Sequence, residues 1–140
     1  MSAPETLHAT CVAINEHAIL IRGASGSGKS GLALRLLTLG AGLVADDRTC
    51  LWTEGGTLWA DAPDTIRGRI EARGVGILSV PATGPRKVAL VVDMDEIETK
   101  RLPEKRETRI MGIMLPVLNK CESPHFPAAL TLYLRTESAK

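Results

Sequence analysis

The chain has few aromatic residues, almost no net charge and no long apolar run. One phenylalanine, one tyrosine and two tryptophans offer few surfaces on which nucleobases could stack, and a net charge of +1 argues against a basic stripe. These two absences argue against nucleic acid as the main partner. The longest apolar run, residues 88–92, is far shorter than the ~20 residues of a membrane-spanning helix, so no membrane association is expected.

Cysteine and histidine are also scarce. Cys11, Cys50 and Cys121 are odd in number and widely spaced, which is typical of a reducing compartment and not of a disulfide framework. The three histidines have no metal-ligand spacing with one another or with the cysteines, so a metal cluster is not expected. The first residues, MSAPETLHATC, lack the basic and apolar segments of a secretory signal. The sequence therefore predicts a cytoplasmic protein.

Length and patterning predict one α/β domain over residues 1–140, because no linker or repeat divides the chain. Two β-rich runs, HATCVAI and HAILIRG, are separated by the turn-prone pair Asn15-Glu16 and predict a hairpin. Residues 30–39 predict a largely buried helix, and residues 41–47 predict a buried strand. The hairpin, helix and strand together predict a β-α-β unit.

The second half is less regular. GTLWADAP predicts a short strand and a turn, and residues 64–74 predict a basic helical or looped piece. Residues 75–80 and the run RKVALVVDMDE predict strands. Six prolines are expected to break up the rest, before a closing helix from about Ala128.

The segment between the second predicted strand and the predicted helix has the spacing G-x-x-x-x-G-K-[ST]. Glycines at such positions allow backbone conformations closed to other residues and let N–H groups face a phosphate. The lysine would supply a positive charge to the outer phosphates, and the serine hydroxyl could ligate Mg²⁺. A Gly/Ser-rich surface turn is the alternative interpretation. The candidate nucleotide-binding residues are Gly23, Ala24, Ser25, Gly26, Ser27, Gly28, Lys29 and Ser30.

Two carboxylates, Asp46 and Asp47, close the predicted strand after this helix. A 10-residue helix rises about 15 Å, and a seven-residue strand spans about 23 Å, so the carboxylates are expected to return beside the phosphates. One could anchor the water shell of Mg²⁺ while the other accepts the proton of an attacking hydroxyl. A solvated Asp-Asp-Arg turn is the alternative. Asp93, at the end of VALVVD, is a rival metal-holding acid that spacing does not exclude.

These motifs together resemble the HPr kinase/phosphorylase family. There, a G-x-x-G-x-G-K-S loop precedes V-A-D-D and then E-x-R-G-x-G-I, and this chain has GASGSGKS, VADD and EARGVGI in that order. The resemblance covers roughly residues 8–92 and implies a short form consisting of the catalytic C-terminal domain. It implies a mixed sheet with flanking helices, similar to phosphoenolpyruvate carboxykinase. It further implies ATP, Mg²⁺, an HPr-type carrier whose serine is phosphorylated, possible reversal by phosphorolysis, and a hexamer.

The resemblance also implies roles for single residues. Lys29 and Ser30 keep their phosphate and Mg²⁺ roles, and Asp47 matches the proton acceptor. The residues that complete this set are Glu71 as a further Mg²⁺ ligand, His8 as a catalytic histidine, Asp46 and Arg73 as supporting residues, and Arg101 as the catalytic arginine, with Arg106 and Arg109 as alternatives.

Two segments depart from the family pattern. After GVGILSV the chain runs into the short PATGPRK, and the family's P-V-R-P-G-R-N is replaced by PVLNKCE from Pro116 onward. Phosphorolysis, pyrophosphate as donor and the docking of the carrier are therefore left open. A small-molecule kinase on the same scaffold and a non-catalytic ATP-sensing module are the rival functions.

Overall fold

The structure is a computed structural model that describes residues 2–138, with side chains through residue 136. The strands are β1 (Glu5–Leu7), β2 (Ala9–Ile14), β3 (His17–Arg22), β4 (Gly42–Ala45), β5 (Thr49–Glu54), β6 (Thr57–Asp61), β7 (Arg69–Ala72), β8 (Gly76–Ser79), β9 (Arg86–Ile97), β10 (Glu107–Ile110) and β11 (Ile113–Lys120). The helices are α1 (Lys29–Thr38) and α2 (Phe126–Ser138), and a 3₁₀ turn spans Asp64–Ile66. The predicted α/β class is confirmed.

One mixed sheet of nine strands carries the fold. Its order is β1-β5-β6-β9-β3-β2-β4, with β11 also paired to β9 and β10 to β11. The long strand β9 is parallel to β3 on one side, while on its other side it pairs first with β6 and then with β11. Sharing one strand edge between two partners curls the sheet. β7 and β8 form a separate hairpin beside it.

Both faces of the central strands are buried. On β3, Ile19 and Ile21 pack in the cluster that contains the two helices, whereas Ala18 and Leu20 pack in the cluster on the opposite face. This double burial explains why β2, β3 and β9 read as continuous apolar runs without alternation. Cys11 lies in the second cluster, where burial, with a smaller contribution from the Asp61 carboxylate, raises the pKa of its thiol far above the usual range.

The predicted hairpin and β-α-β unit are present. β2 and β3 pair antiparallel through the turn at Asn15, and β4 pairs antiparallel with β2, so β3 and β4 run parallel with β2 between them. α1 agrees with the predicted helix of residues 30–39 to within one residue. The strand predicted over residues 41–47 was too long, because β4 ends at Ala45 and Asp47 turns away with a φ of 67°.

The expectation that prolines break up the second half was wrong for residues 107–120, which form the β10–β11 hairpin. Pro116 lies inside β11, yet it costs no ladder bond. Val117 N–H donates to Arg106 on the β10 side, and pairing of β11 with β9 begins only at Val117, one residue past the proline. The strand β5 was also missed.

The prediction of a helical or looped piece over residues 64–74 was wrong for Arg69–Ala72, which form the strand β7 because they pair with β8. β1 was not predicted. The other elements agree with their predictions. β8 and β9 occupy the predicted segments, and the closing helix begins at Phe126, two residues before the predicted start. Residues 139–140 of that predicted helix, and residue 1 of the predicted domain, lie outside the described residues. Within the described part, neither helix is long and apolar enough to cross a membrane.

Candidate active site

The segment with the phosphate-loop spacing joins the end of β3 to the start of α1, which is the context that the sequence predicted. Gly26 and Gly28 have φ angles of 84° and 101°, in the left-handed region that a Cβ disfavours. The strand β9, which pairs with β3, holds the loop through Asp95, whose Oδ1 accepts a hydrogen bond of 2.9 Å from Ala24 N–H. The loop is thus held by a side chain that sequence reasoning had not singled out.

Gly23 leaves no room for a side chain. Its φ is 150°, and a Cβ built there would lie 2.7 Å from Ser27 Oγ and 3.0 Å from Met94 Cβ. We expect Gly23→Ala to lower the free energy of unfolding by about 1–3 kcal/mol, measured by urea denaturation. Gly84→Ala is the control, because no atom lies within 4 Å of a Cβ built there. Equal stability of the two variants would contradict this expectation.

Lys29 is buried over the loop. Its Nζ donates to the carbonyls of Gly23 at 2.7 Å and Ala24 at 3.1 Å, and lies 3.4 Å from His8 Nε2. Only 6% of the residue is exposed. Backbone carbonyls therefore hold the ammonium group in place at the centre of the loop.

Asp46 is a buried carboxylate that three donors share. Its Oδ1 accepts from Ser30 Oγ at 2.7 Å and from Thr10 Oγ1 at 3.1 Å, while its Oδ2 accepts from Glu71 N–H at 3.0 Å. Asp46 thus links β2, the first turn of α1 and the β7–β8 hairpin. Thr10 was missed from the sequence, although it is the polar residue inside the apolar run HATCVAI.

Asp47 has a different environment from its neighbour. Its side chain is 60% exposed, and its Oδ1 lies 3.3 Å from His8 Nδ1. On the other side of the imidazole ring, Nε2 faces Lys29 Nζ at 3.4 Å and Ser25 Oγ at 3.5 Å. The ammonium group of Lys29 near Nε2 and the carboxylate of Asp47 near Nδ1 favour the tautomer that carries a proton on Nδ1. The two aspartates therefore differ in exposure, partners and chemical use.

A cleft of about 830 Å³ opens over these groups. It is walled by the loop and α1 on one side and by the β7–β8 hairpin on the other. Alternation along β7 buries Ile70 and Ala72 and leaves Arg69 and Glu71 exposed. The charged side chains that line the cleft are Lys29, Asp46, Asp47, Arg48, Arg69, Glu71 and Arg73.

The structure brings most of the candidate site residues together. The loop, both aspartates, Glu71 and Arg73 meet at the cleft, and His8 joins them through Asp47 and Lys29. Arg101 is exposed in the segment after β9 and is not among the residues that line the cleft. Of its two alternatives, Arg106 is paired with Glu98, whose pKa it lowers, and Arg109 is exposed on β10.

Asp93, the rival metal-holding acid, is engaged elsewhere. Its carboxylate lies 3.6 Å from Arg22 and accepts a hydrogen bond from Asp95 N–H, and it does not line the cleft. Arg48 and Arg69, in contrast, do line it. Neither was singled out from the sequence, because a lone arginine after an acidic pair or on a short strand carries no local signal.

The donor set beside the loop is suited to Mg²⁺. Ser30 Oγ and the Asp46 carboxylate are hard oxygen ligands 2.7 Å apart, and Glu71 lines the same cleft. Among the described residues, no group of three or more His, Cys, Asp and Glu side chains forms a metal cage. Mg²⁺ usually binds through one or two carboxylates together with substrate phosphates, and the residues present fit that mode.

The chain is similar to proteins of one family along most of its length. A family model described as HPr Serine kinase C-terminal domain matches residues 1–118. An HPr kinase/phosphorylase of Brevibacillus brevis is 33% identical over 126 residues, covering 81% of this chain and 40% of the relative. One of Streptococcus thermophilus is 42% identical over 124 residues, covering 79% and 40%. The chain thus spans about two fifths of the length of these relatives.

The fold is similar as well. The structure of the HPr(Ser) kinase/phosphatase from Coxiella burnetii matches with a TM-score of 0.80 at 26% identity, covering 96% of this chain and 97% of that chain. Similarity therefore extends past the phosphate loop and the aspartate pair to the whole sheet.

Proposed function

Because the chain belongs to the family of HPr serine kinase C-terminal domains, we propose that it transfers the γ-phosphoryl group of ATP to a serine hydroxyl of an HPr-type phosphocarrier protein, with Mg²⁺. The observation that carries this proposal is the difference in environment between the two neighbouring aspartates. Asp46 is buried on the loop serine, whereas Asp47 is exposed at the mouth of the cleft beside His8. The carboxylate beside the loop serine is suited to metal binding, and the exposed carboxylate is suited to proton transfer.

Phosphate binding is assigned to the loop and to Lys29. The backbone N–H groups of residues 26–30 would face the donor, apart from that of Ser27, which donates to the Ala24 carbonyl at 3.0 Å. The ammonium group of Lys29 would balance the charge of the outer phosphates. Ser30, Asp46 and Glu71 would hold Mg²⁺. When bound, the ion neutralises charge that develops on the transferring phosphoryl group. Arg48, Arg69 and Arg73 line the cleft and add positive charge near the same place.

Proton transfer is assigned to Asp47. The incoming serine hydroxyl must lose its proton as it attacks, and an exposed carboxylate at the mouth of the cleft can accept that proton. His8 Nδ1 lies 3.3 Å from Asp47 Oδ1 and would orient the carboxylate, while its Nε2 faces Lys29. In the reverse reaction, the same carboxyl group would return its proton to the serine oxygen. Arg101 stays a proposed catalytic arginine from the resemblance alone.

The protein is proposed to act in the cytoplasm and as an oligomer, a hexamer by resemblance. Its three cysteines are free thiols, in keeping with a reducing compartment. The β7–β8 hairpin exposes Val75 and Ile77, with 77% and 66% of their surface accessible. Exposed apolar side chains on one hairpin favour contact with another protein surface. Light scattering coupled to size-exclusion chromatography measures the assembly directly.

The proposed reaction is tested with the purified protein, Mg²⁺, γ-labelled ATP and HPr from the same genome. We expect label on one serine of HPr, identified by mass spectrometry, and no label on HPr in which that serine is replaced by alanine. Label on a small metabolite in place of HPr would assign the site to a small-molecule kinase. ATP binding without turnover of any acceptor would assign it to a sensing module.

A further inference from the structure

A second cavity, of about 270 Å³, lies beside the phosphate loop on the side away from Asp47. Its polar lining residues are Lys120, Cys121 and Glu122, from the segment where PVLNKCE stands in place of the family's basic pattern, together with Arg35 on α1 and Ser123. The carboxyl ends of the parallel strands β3, β9 and β11 meet here. In open α/β sheets that edge is where ligands bind.

The second cavity and the cleft lie next to each other along the phosphate loop. Gly28 and Gly31 line both, so the end of the loop and the first turn of α1 separate them. Transfer to an acceptor at Asp47 requires the outer phosphate to lie on the cleft side. The rest of a nucleotide held by the loop then leads over Gly31 toward the second cavity.

Lys120 connects this cavity to the loop. Its Nζ donates to the Ser27 carbonyl at 3.2 Å, and a Cβ built on Gly28 would lie 3.8 Å from the same Nζ. An ammonium group has three donors, so two are left to point elsewhere. Lys120 itself is held at the sheet edge, because its carbonyl accepts a hydrogen bond of 2.8 Å from Glu98 N–H.

The lining has the mixed character of a site for a flat polar ring. Leu32, Met94 and Phe126 supply an apolar wall, and a methionine sulfur packs well against aromatic rings. Lys120 offers donors, and the Glu122 carboxylate offers acceptors only. A nucleobase presents both hydrogen-bond acceptors and N–H donors along its edge. Lys120 could donate to those acceptors, and Glu122 could accept from those donors.

From these contacts we infer that the second cavity is the subsite for the base of the donor nucleotide, with Lys120 as its principal polar contact. This inference rests on the proposed function, since it takes a nucleoside triphosphate as the donor. It assigns the PVLNKCE segment a role in donor binding.

The test compares MgATP with magnesium tripolyphosphate, which carries the three phosphates and no nucleoside, by isothermal titration calorimetry. For the unaltered protein we expect ATP to bind more tightly than tripolyphosphate. Lys120→Met is expected to weaken ATP binding by about 10-fold, the usual worth of a hydrogen bond from a charged group, and to weaken tripolyphosphate binding less, because that ligand loses only the effect of the Lys120–Ser27 contact on the loop. Lys105→Met, at an exposed lysine between β9 and β10, is the matched control and should alter neither.

A second measurement needs no variant. Cys121 lines the cavity and Cys50 lies on β5, so per-residue alkylation by iodoacetamide reports occupancy of the subsite. We expect ATP to slow the labelling of Cys121 and not that of Cys50, and tripolyphosphate to slow neither.

Any of three results would contradict the proposed base subsite. The unaltered protein could bind ATP and tripolyphosphate equally tightly, or Lys120→Met could weaken the binding of the two ligands equally. The third is that ATP does not slow the labelling of Cys121. If HPr is still phosphorylated in that case, the proposed function stands and the subsite alone is wrong. If neither ATP nor tripolyphosphate binds, both proposals fall.

Discussion

Replacing Asp47 with asparagine is expected to lower the rate of phosphoryl transfer by about 10²- to 10⁴-fold, the usual contribution of a positioned general base. The amide keeps the shape of the carboxylate but cannot accept the serine proton. Nucleotide binding should be almost unchanged, because the side chain is 60% exposed and its contact is His8, not the loop backbone. Single-turnover kinetics with HPr and calorimetry with ATP measure the two quantities separately.

The control for this variant is Glu16→Gln, the same carboxylate-to-amide change in the β2–β3 turn. That turn lies at the start of β3, the opposite end of the strand from the loop, so no effect on turnover is expected. An Asp47→Asn protein that transfers phosphate at the unaltered rate would remove Asp47 from proton transfer. A variant that loses ATP binding as well would show that the residue serves the donor and not the acceptor.

Thr10→Val is expected to lower turnover by about 10- to 100-fold, because a small displacement of reacting groups has effects of that size. Thr10 Oγ1 donates to Asp46 Oδ1 and accepts from Asp47 N–H at 3.0 Å, so one hydroxyl positions both carboxylates. Valine has the same shape but offers neither bond. The unpaired Asp47 N–H and the weakened support of Asp46 should also lower the free energy of unfolding by about 2–4 kcal/mol.

Thr49→Val is the matched control for Thr10→Val. Thr49 is equally buried and its hydroxyl donates to the Ala9 carbonyl at 2.8 Å, but it contacts neither aspartate. We expect it to lose stability without a change in turnover, measured below the midpoint of its thermal transition. If both valine variants lose turnover in proportion to stability, Thr10 has no positioning role.

The sequence predicted the parts of the site that depend on local geometry. The loop and α1 were located to within one residue, because their signals lie in residues close together in the sequence. These signals are the glycines with positive φ, the lysine at the start of a helix and the apolar hairpin. The end of β4 was misjudged because Asp46 directly follows the apolar strand and was counted as part of it. Its carboxylate instead accepts hydrogen bonds from Ser30 and Glu71, which lie on other elements.

Contacts between distant segments had no such signal. His8 meets Asp47 only because β2 lies between β3 and β4, and Asp95 reaches the loop only because β9 is parallel to β3. The hairpin β10–β11 was hidden by Pro116, whose missing N–H is harmless only where the ladder with β9 has not begun. The resemblance to a family supplied roles for His8 and Glu71 that patterning alone could not assign.

The phosphate loop is tied to the sheet at several points along its length. Asp95 from β9 holds Ala24, Lys120 from β11 holds Ser27, and Lys29 from α1 closes on Gly23. A loop braced by two neighbouring strands has little conformational freedom left to lose when a ligand arrives. Donor association should therefore proceed in one kinetic step whose rate rises linearly with ligand concentration. Most of the entropic cost of ordering this loop is met during folding.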